Sequence, residues 1–509
     1  MKLLLSVVGS VLVLAAMLWV LGGSSGKRKN PNTIGSSMAE SAEDRGEGIT
    51  LFCAASNRAV MEAIREQYEE ETGRSVTIQY GPSQTLLSQL EIAEVGDLYL
   101  PADDSFLELA SEKKLVSEVL PVARMQAGLV VNKGNPLQLN SLADALESGV
   151  RILQANPEAA AVAKLTKQLL TDAGTWEELD KASVYRTTVT DVPNDLLVGA
   201  ADTGIVYDAV LHTYPDLEFV PVPELKDATS RIDIGVLKAS KQPADALHFA
   251  RYVSAADRGL VHYAEHGFGV AEGDAWAETP ELSIYAGSML RPAIEETIVE
   301  FEKREGVDVS RVYNGCGILV AQMKAGQHPD AYFACDKEFM NQVTDLFPES
   351  VDVSQNELVI IVQKGNPHGI ASLRDLSKKG ITVGVGHEKQ CAMGWITQNT
   401  FKEGGIQKEV MENVTVQSPT GDMLVNQMLS GSLDAAVVYL SNAAGAGDKL
   451  DAVQIQGIEC STATQPFAVA KESKYPNLAA RLFERICSVE SQETFAAEGF
   501  RWELAEKNP

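Results

Sequence analysis

The chain has 509 residues, 45% of them hydrophobic, and a formal charge of −27 from 70 acidic and 43 basic side chains. The length exceeds one ordinary domain and supplies apolar material for large cores. The acidity argues against nucleic acid or an anionic membrane surface as partner, but a small anion stays open, because helix N-termini bind anions without formal charge.

Residues 3–21 are almost wholly apolar, after Lys2 and before a Gly/Ser run. The uncharged span 3–26 is long enough to cross a bilayer, which takes ~20 residues. It exceeds the ~7–15-residue apolar region of a signal peptide, and no A-x-A site follows it. No Cys follows it either, which speaks against a lipoprotein anchor. The expectation for residues 1–26 is a signal anchor, with a cleaved signal peptide as the alternative. Lys2 faces Lys27, Arg28 and Lys29 across the segment, so charge leaves the topology open. Residues 27–47 mix Gly, Ser, Asn, Pro and charge without periodicity, and are expected to be a disordered linker.

A short apolar strand is predicted at residues 49–53. The helix after it places Val60, Ile64 and Tyr68 at four-residue spacing, with Glu62, Arg65, Glu66, Glu69 and Glu70 on other faces, and Gly73 ends it. A strand at 76–80, a helix carrying Leu86, Leu87 and Leu90, and a strand at 97–101 follow. The same order recurs at 282–286, Gly306, 309–313 and 330–334. Alternating strands and helices imply parallel sheets, whose ligands bind beyond the carboxyl ends of the strands. Three segments fall there in the first half: Ala54-Ala55-Ser56, Gly81-Pro82-Ser83-Gln84-Thr85 and Asn156-Pro157-Glu158-Ala159-Ala160. Read by likeness, their partners are Ala286-Gly287-Ser288, Asn314-Gly315-Cys316-Gly317-Ile318 and His387-Glu388-Lys389-Gln390-Cys391. Free N–H groups at helix starts, with a Ser hydroxyl, suit an oxyanion. One such Ser is more often a plain N-cap; several starts in one copy favour a ligand.

The chain is thus written twice. Val130-Val131-Asn132-Lys133-Gly134-Asn135-Pro136 is matched by Ile361-Val362-Gln363-Lys364-Gly365-Asn366-Pro367, Gly204-Ile205-Val206-Tyr207 by Ala436-Val437-Val438-Tyr439, and Gly267-Phe268 by Gly499-Phe500. A period this long is a duplicated domain, not a solenoid repeat of ~20–50 residues. The copies are expected at 48–278 and 279–509.

With these motifs and Gly96-Asp97-Leu98-Tyr99-Leu100-Pro101-Ala102-Asp103, each copy resembles a type-II periplasmic solute-binding domain, most like the molybdate/tungstate-binding proteins of ABC importers. The resemblance covers residues 48–509. It implies an α/β fold of two lobes per copy, joined by hinge strands near residues 129–132 and 358–362 and closing on the ligand. It implies an oxyanion held by two Ser hydroxyls, amides at helix starts and a Tyr hydroxyl. Carried over by position, these are Ser56, Ser83 and Tyr207, with amides near Val162 and Val189. In copy two they are Ser288 and Tyr439, with Met393 and Gly421 at the amide positions and Cys316 in place of the second Ser. The family's second loop usually reads Gly-Ser-Ser-Gly; here Pro82 removes one N–H and Gln84 replaces a Gly. The resemblance also implies an ABC permease as partner, with the membrane reached through the N-terminal helix, and calls for no cofactor.

Copy one has one cysteine, Cys53, expected in the core; copy two has Cys316, Cys335, Cys391, Cys460 and Cys487. Cys460 and Cys487 are read as core. Cys316, Cys335 and Cys391 align with Ser83, Ala102 and Ala160, facing the cleft. Three readings stand for them: a Cys316–Cys335 disulfide, a soft-metal site with Met289, Met393 or His387 nearby, or free thiols. No CxxC or HxxxH spacing is present. Nor does a GxSxG, P-loop, HExxH or GxGxxG element stand out, and the Asp103-Asp104 pair reads as structural. Nothing assembles nucleophile, base and oxyanion hole, so no enzyme is expected. The expected function is extracytoplasmic capture of a molybdate, tungstate or sulfate-type oxyanion for an importer. The alternatives are a soft-metal or redox-responsive envelope sensor using the copy-two cysteines, and a structural envelope protein.

Overall fold

In the computed structural model, residues 48–147 and 149–504 are described. The expected anchor at 1–26 and linker at 27–47 lie outside them. Among the described residues no helix is long and apolar enough to cross a membrane.

The first strand, β1 (Ile49–Ala54), runs parallel between β2 (Val76–Gly81) and β3 (Leu98–Leu100). Helix α1 (Arg58–Thr72) buries Val60, Met61, Ile64 and Tyr68, the face its spacing predicts. Gly73 ends it at φ 69°, a left-handed cap that a side chain would strain. Helix α2 (Ser83–Ala93) begins just past β2 and buries Leu86, Leu87 and Leu90.

One long strand makes two lobes out of this copy. β4 (Val116–Asn132) pairs antiparallel with β9 (Thr229–Leu237) as far as Gln126. From Ala127 onward it pairs with β7 (Thr203–Tyr207) and β8 (Leu217–Val220) in a second sheet. There β7 lies parallel to β5 (Ile152–Ala155), which in turn pairs with β6 (Ser183–Arg186). Helix α3 (Ala161–Asp172) belongs to this second lobe. The switch between sheets therefore falls at Gln126–Ala127, upstream of the hinge expected at 129–132. Gln126 is what holds it there: its side chain donates to the carbonyls of Leu225 and Ala228 and accepts from Thr229 Oγ. A short strand, β10 (Gly269–Val270), and helix α4 (Pro243–Val253) complete the first lobe.

The second half repeats the plan with the same strand order. β11 (Glu281–Gly287), α5 (Arg291–Glu305), β12 (Asp308–Asn314), α6 (Cys316–Lys324) and β13 (Ala331–Phe333) build its first lobe. β14 (Val351–Gln363) changes sheets between Glu357 and Leu358. β15 (Val383–Gly386), α7 (Ala392–Glu403), β16 (Val414–Ser418), α8 (Gly421–Leu429) and β17 (Ala435–Tyr439) form the second lobe. The chain then returns through β18 (Leu450–Gln454), β19 (Thr462–Val469), α9 (Pro476–Ile486) and β20 (Arg501–Trp502). Two separate hydrophobic cores result, one within residues 49–268 and one within 282–500.

Candidate functional site

The carboxyl ends of β1, β2 and β3 meet the starts of α2 and α3 in the cleft of copy one. A cavity of about 20 Å³ sits there, lined by Ser56, Ser83, Val162, Val189 and Tyr207 together with small residues such as Ala102 and Ala160. All five candidates of copy one thus reach one place. Every lining side chain is neutral. In this closed arrangement the space is on the scale of about one water molecule, too narrow for a peptide or sugar chain.

The hydrogen bonding leaves three hydroxyl protons uncommitted. Ser83 Oγ accepts the Ala102 N–H at 3.1 Å, and the carbonyl of Ser83 accepts the Tyr99 hydroxyl at 2.8 Å. Ser56 Oγ accepts from the Asn57 side chain at 3.4 Å. Both serines are therefore fixed as acceptors by the fold, and their own O–H can donate elsewhere. Tyr207, 1% exposed at the end of β7, has a buried hydroxyl that makes no hydrogen bond of good geometry; its polar neighbour Ser230 donates to the Ala102 carbonyl and Asp103. Burial pushes its pKa well above the usual phenol value, so it keeps its proton. The first-turn N–H groups of α2 and α3 point the same way as any helix N-terminus, with Pro82 supplying none. The lobes already touch: the Gln84 N–H donates across the cleft to the Ala159 carbonyl at 3.2 Å.

Asp103 and Asp104 are structural, as read from sequence. Asp103 accepts from Ser230 Oγ and the Ser105 N–H, and Asp104 pairs with Arg231.

In copy two the backbone register corrects one alignment. Asp97 accepts the Thr50 N–H, and Asp330 accepts the Ser283 N–H in the same way. The fifteen-residue helices α1 and α5 start at Arg58 and Arg291 and end at Gly73 and Gly306. Ser56, two residues before Arg58, therefore corresponds to Met289, and Ser288 corresponds to Ala55. Cys316 does stand where Ser83 stands: its Sγ accepts the Cys335 N–H at 3.1 Å. The cross-cleft bond recurs as the Gly317 N–H to the Gln390 carbonyl at 3.1 Å. Tyr439 keeps the unpartnered, buried hydroxyl of Tyr207. Met393, Gly421 and Cys391 sit at the starts of α7 and α8, as Val162 and Ala160 do at the start of α3, while Val189 lies in the turn just before the helix Asp191–Leu197.

Cys316 and Cys335 are free thiols, not the disulfide held open from sequence. Burial acts to raise the Cys316 pKa, but the hydrogen bonds from the Cys335 thiol and N–H lower it further than burial raises it. Cys335 moves well upward, first because it donates to Cys316 and then through burial. The three-thiol metal centre is not assembled: among the described residues no group of three or more His, Cys, Asp or Glu could hold a metal ion. Cys391 lies against the amides of Met393 and Gly394 at the start of its own helix, and burial pushes it up to about 12. Cys53 is fully buried, as expected, whereas Cys460 and Cys487 are only partly so.

Sequence reasoning missed Thr188 as cavity lining, and named Met289 near the cysteines without pairing it with Ser56. The paired glycine caps Gly73 and Gly306 are the signal that pairs Met289 with Ser56.

Comparison with known proteins places the fold in a family. The model of the bacterial extracellular solute-binding proteins matches residues 49–268 and again 282–501. A putative binding protein of Haemophilus influenzae is 27% identical over 227 residues, 44% of this chain and 91% of that protein. The molybdate-binding protein ModA of Mycobacterium tuberculosis is 28% identical over 211 residues, 41% of this chain and 79% of the relative. Among solved structures, the periplasmic molybdate-binding protein of Azotobacter vinelandii is 20% identical with a TM-score of 0.38, covering 44% of this chain and all of that one. The sulfate-binding protein SubI of Mycobacterium tuberculosis is 17% identical with a TM-score of 0.39, covering 44% and 86%. The chain belongs to the bacterial extracellular solute-binding proteins, with two tandem copies of the family's domain.

Proposed function

We propose that copy one captures a tetrahedral oxyanion of the molybdate, tungstate or sulfate kind and hands it to an ABC-type permease outside the cytoplasm. The observation that carries this reading is the set of three uncommitted hydroxyl donors, Ser56, Ser83 and Tyr207, on one neutral cavity between closed lobes. Neutral dipoles fixed in a water-poor site select size and geometry without a counter-charge. The molybdate-binding relatives support the same class of ligand.

Calorimetric titration of the full chain with molybdate, tungstate and sulfate tests it. One oxyanion per chain is expected, and Ser83→Ala is expected to weaken binding roughly 5–30-fold, the worth of one buried charge-assisted hydrogen bond. Absence of heat with all three anions, or full affinity in the Ser83→Ala variant, would remove the reading.

A further inference from the structure

Copy two keeps the architecture of the cleft and changes its chemistry as a set. By backbone register, Met289 stands for Ser56, Cys316 for Ser83, Cys335 for Ala102, Cys391 for Ala160 and Met393 for Val162. The copy-one member of each pair lines the copy-one cavity. Sulfur has thus replaced hydroxyl, methyl and isopropyl groups at five positions around one cleft, and all five sulfur side chains are at most 6% exposed.

A sixth change shows that the thiols are fitted. Gly287 occupies the place of Ala54 at the end of its strand. A Cβ at Gly287 would lie 2.0 Å from Cys335 Sγ and 3.3 Å from Cys316 Sγ. Both sulfurs therefore converge on the space that the alanine methyl fills in copy one. Drift in an abandoned site does not explain a glycine that makes room for a neighbour's sulfur.

We propose that the cleft of copy two binds a soft, thiophilic monovalent cation of the copper(I) class through Cys316 and Cys335, with Met289, at the position of Ser56, as a further sulfur of that cleft. Thiolate and thioether donors select such ions over hard divalent ones. The absence of a third clustered His, Cys or carboxylate among the described residues fits a low-coordinate ion and disfavours tetrahedral zinc. An oxyanion is disfavoured, because the Ser56 and Ser83 hydroxyls give way to Met289 and Cys316, a thiol donates weakly, and Ser288 at the place of Ala55 is the one hydroxyl gained. On binding, each coordinating thiol releases its proton to solvent and the copper stays monovalent. Tyr439, buried without a partner, and the Cys335 N–H are neutral donors available to the residual negative charge on sulfur. The Gly317-to-Gln390 bond closes the lobes over the site and keeps oxidants from the sulfurs.

The test uses the reduced full chain under nitrogen, with copper(I) presented as a complex with a chromophoric chelator. Withdrawal of one copper per chain is expected, with sulfur-only ligation in the X-ray absorption spectrum. Copper is also expected to slow alkylation of Cys316 and Cys335 at least tenfold, read by peptide mass mapping. The double variant Cys316→Ser/Cys335→Ser should lose copper uptake and keep the single molybdate site of copy one. No withdrawal of copper, unchanged alkylation of the pair with copper present, uptake that survives in the double variant, or two molybdates per wild-type chain would each overturn the proposal. The alkylation measurement uses the wild-type chain alone, so it decides the matter even where the double variant fails to fold. The molybdate titration is read separately, so failure of the copper site and failure of the oxyanion reading are distinguishable.

Discussion

At the scale of single residues, Tyr207 separates binding from folding. Its hydroxyl is buried and makes no well-formed hydrogen bond, with Ser230 as its polar neighbour. Removing it relieves an unsatisfied polar group instead of breaking a native bond, so Tyr207→Phe should fold with an unchanged or slightly raised Tm. On the proposed function, the same change should weaken oxyanion binding by about 1–2 kcal/mol, because one proposed donor is lost. Thermal unfolding and calorimetry on one sample check both halves. A fall in Tm with full affinity would move Tyr207 from the site to the scaffold. Gly287 gives the matching case in copy two. Gly287→Ala sets a methyl against Cys335 Sγ and should destabilise copy two by about 1–3 kcal/mol, as overpacking does. Denaturant unfolding reads the change, and a neutral result would mean that the cysteine side chain turns away freely.

At the scale of elements, much of copy one was legible because local rules and tertiary packing agree. The spacing of Val60, Ile64 and Tyr68 gave α1 and its buried face, and Gly73 gave its end. The convergence of Ser56, Ser83 and Tyr207 could be expected only through the resemblance, since no spacing links positions so far apart. The copy-two site was misread by one residue. Ala54-Ala55-Ser56 and Ala286-Gly287-Ser288 look alike, but strand register and helix caps pair Ser56 with Met289. Likeness of small residues carries no register, whereas hydrogen-bonded strands do. His248 was equally hidden. A histidine on a helix reads as a surface group, yet α4 buries it on α1, with Nδ1 2.9 Å from the Tyr68 hydroxyl and Nε2 3.2 Å from Glu278. Burial, then Arg74, lowers its pKa to about 4 against the raising effect of Glu278, with Arg251 lowering it further. Between pH 6.5 and 4 the unfolded chain takes up a proton that the folded one refuses. Stability from this site is therefore complete above pH 6.5 and is lost as pH falls through about 4. His248→Gln should flatten the pH dependence of the urea midpoint across that window, and an unaltered slope would assign the acid limb to other groups.

At the scale of the whole molecule, the two copies are joined by a buried charge cluster. Glu305, at the end of α5 and 1% exposed, accepts from Arg481 of α9 at 2.7 and 3.0 Å. Arg251 of α4, in copy one, reaches its carboxylate at 3.2 Å and its carbonyl at 2.6 Å. Arg304 and Glu118 add a two-pronged pair beside it, and Asp274 accepts the N–H groups of Asn477 and Leu478 at the start of α9. One carboxylate is thus shared by guanidinium groups from both copies. Burial alone would raise the Glu305 pKa, but Arg481 and Arg251 outweigh it and hold the carboxyl below the usual range. Its contribution is present above the unfolded carboxyl value and is lost as pH falls through the lowered folded value. Glu305→Gln keeps the shape and leaves two buried guanidinium groups without their counter-charge, a change that costs about 3–5 kcal/mol in buried pairs. The loss falls on the contact between copies, because each copy retains its own hydrophobic core. Scanning calorimetry of the variant should show a lower Tm and an endotherm that resolves into two transitions, only one of which molybdate raises. A single transition at the wild-type temperature would mean that the copies are held together elsewhere and that Glu305 is dispensable to the junction.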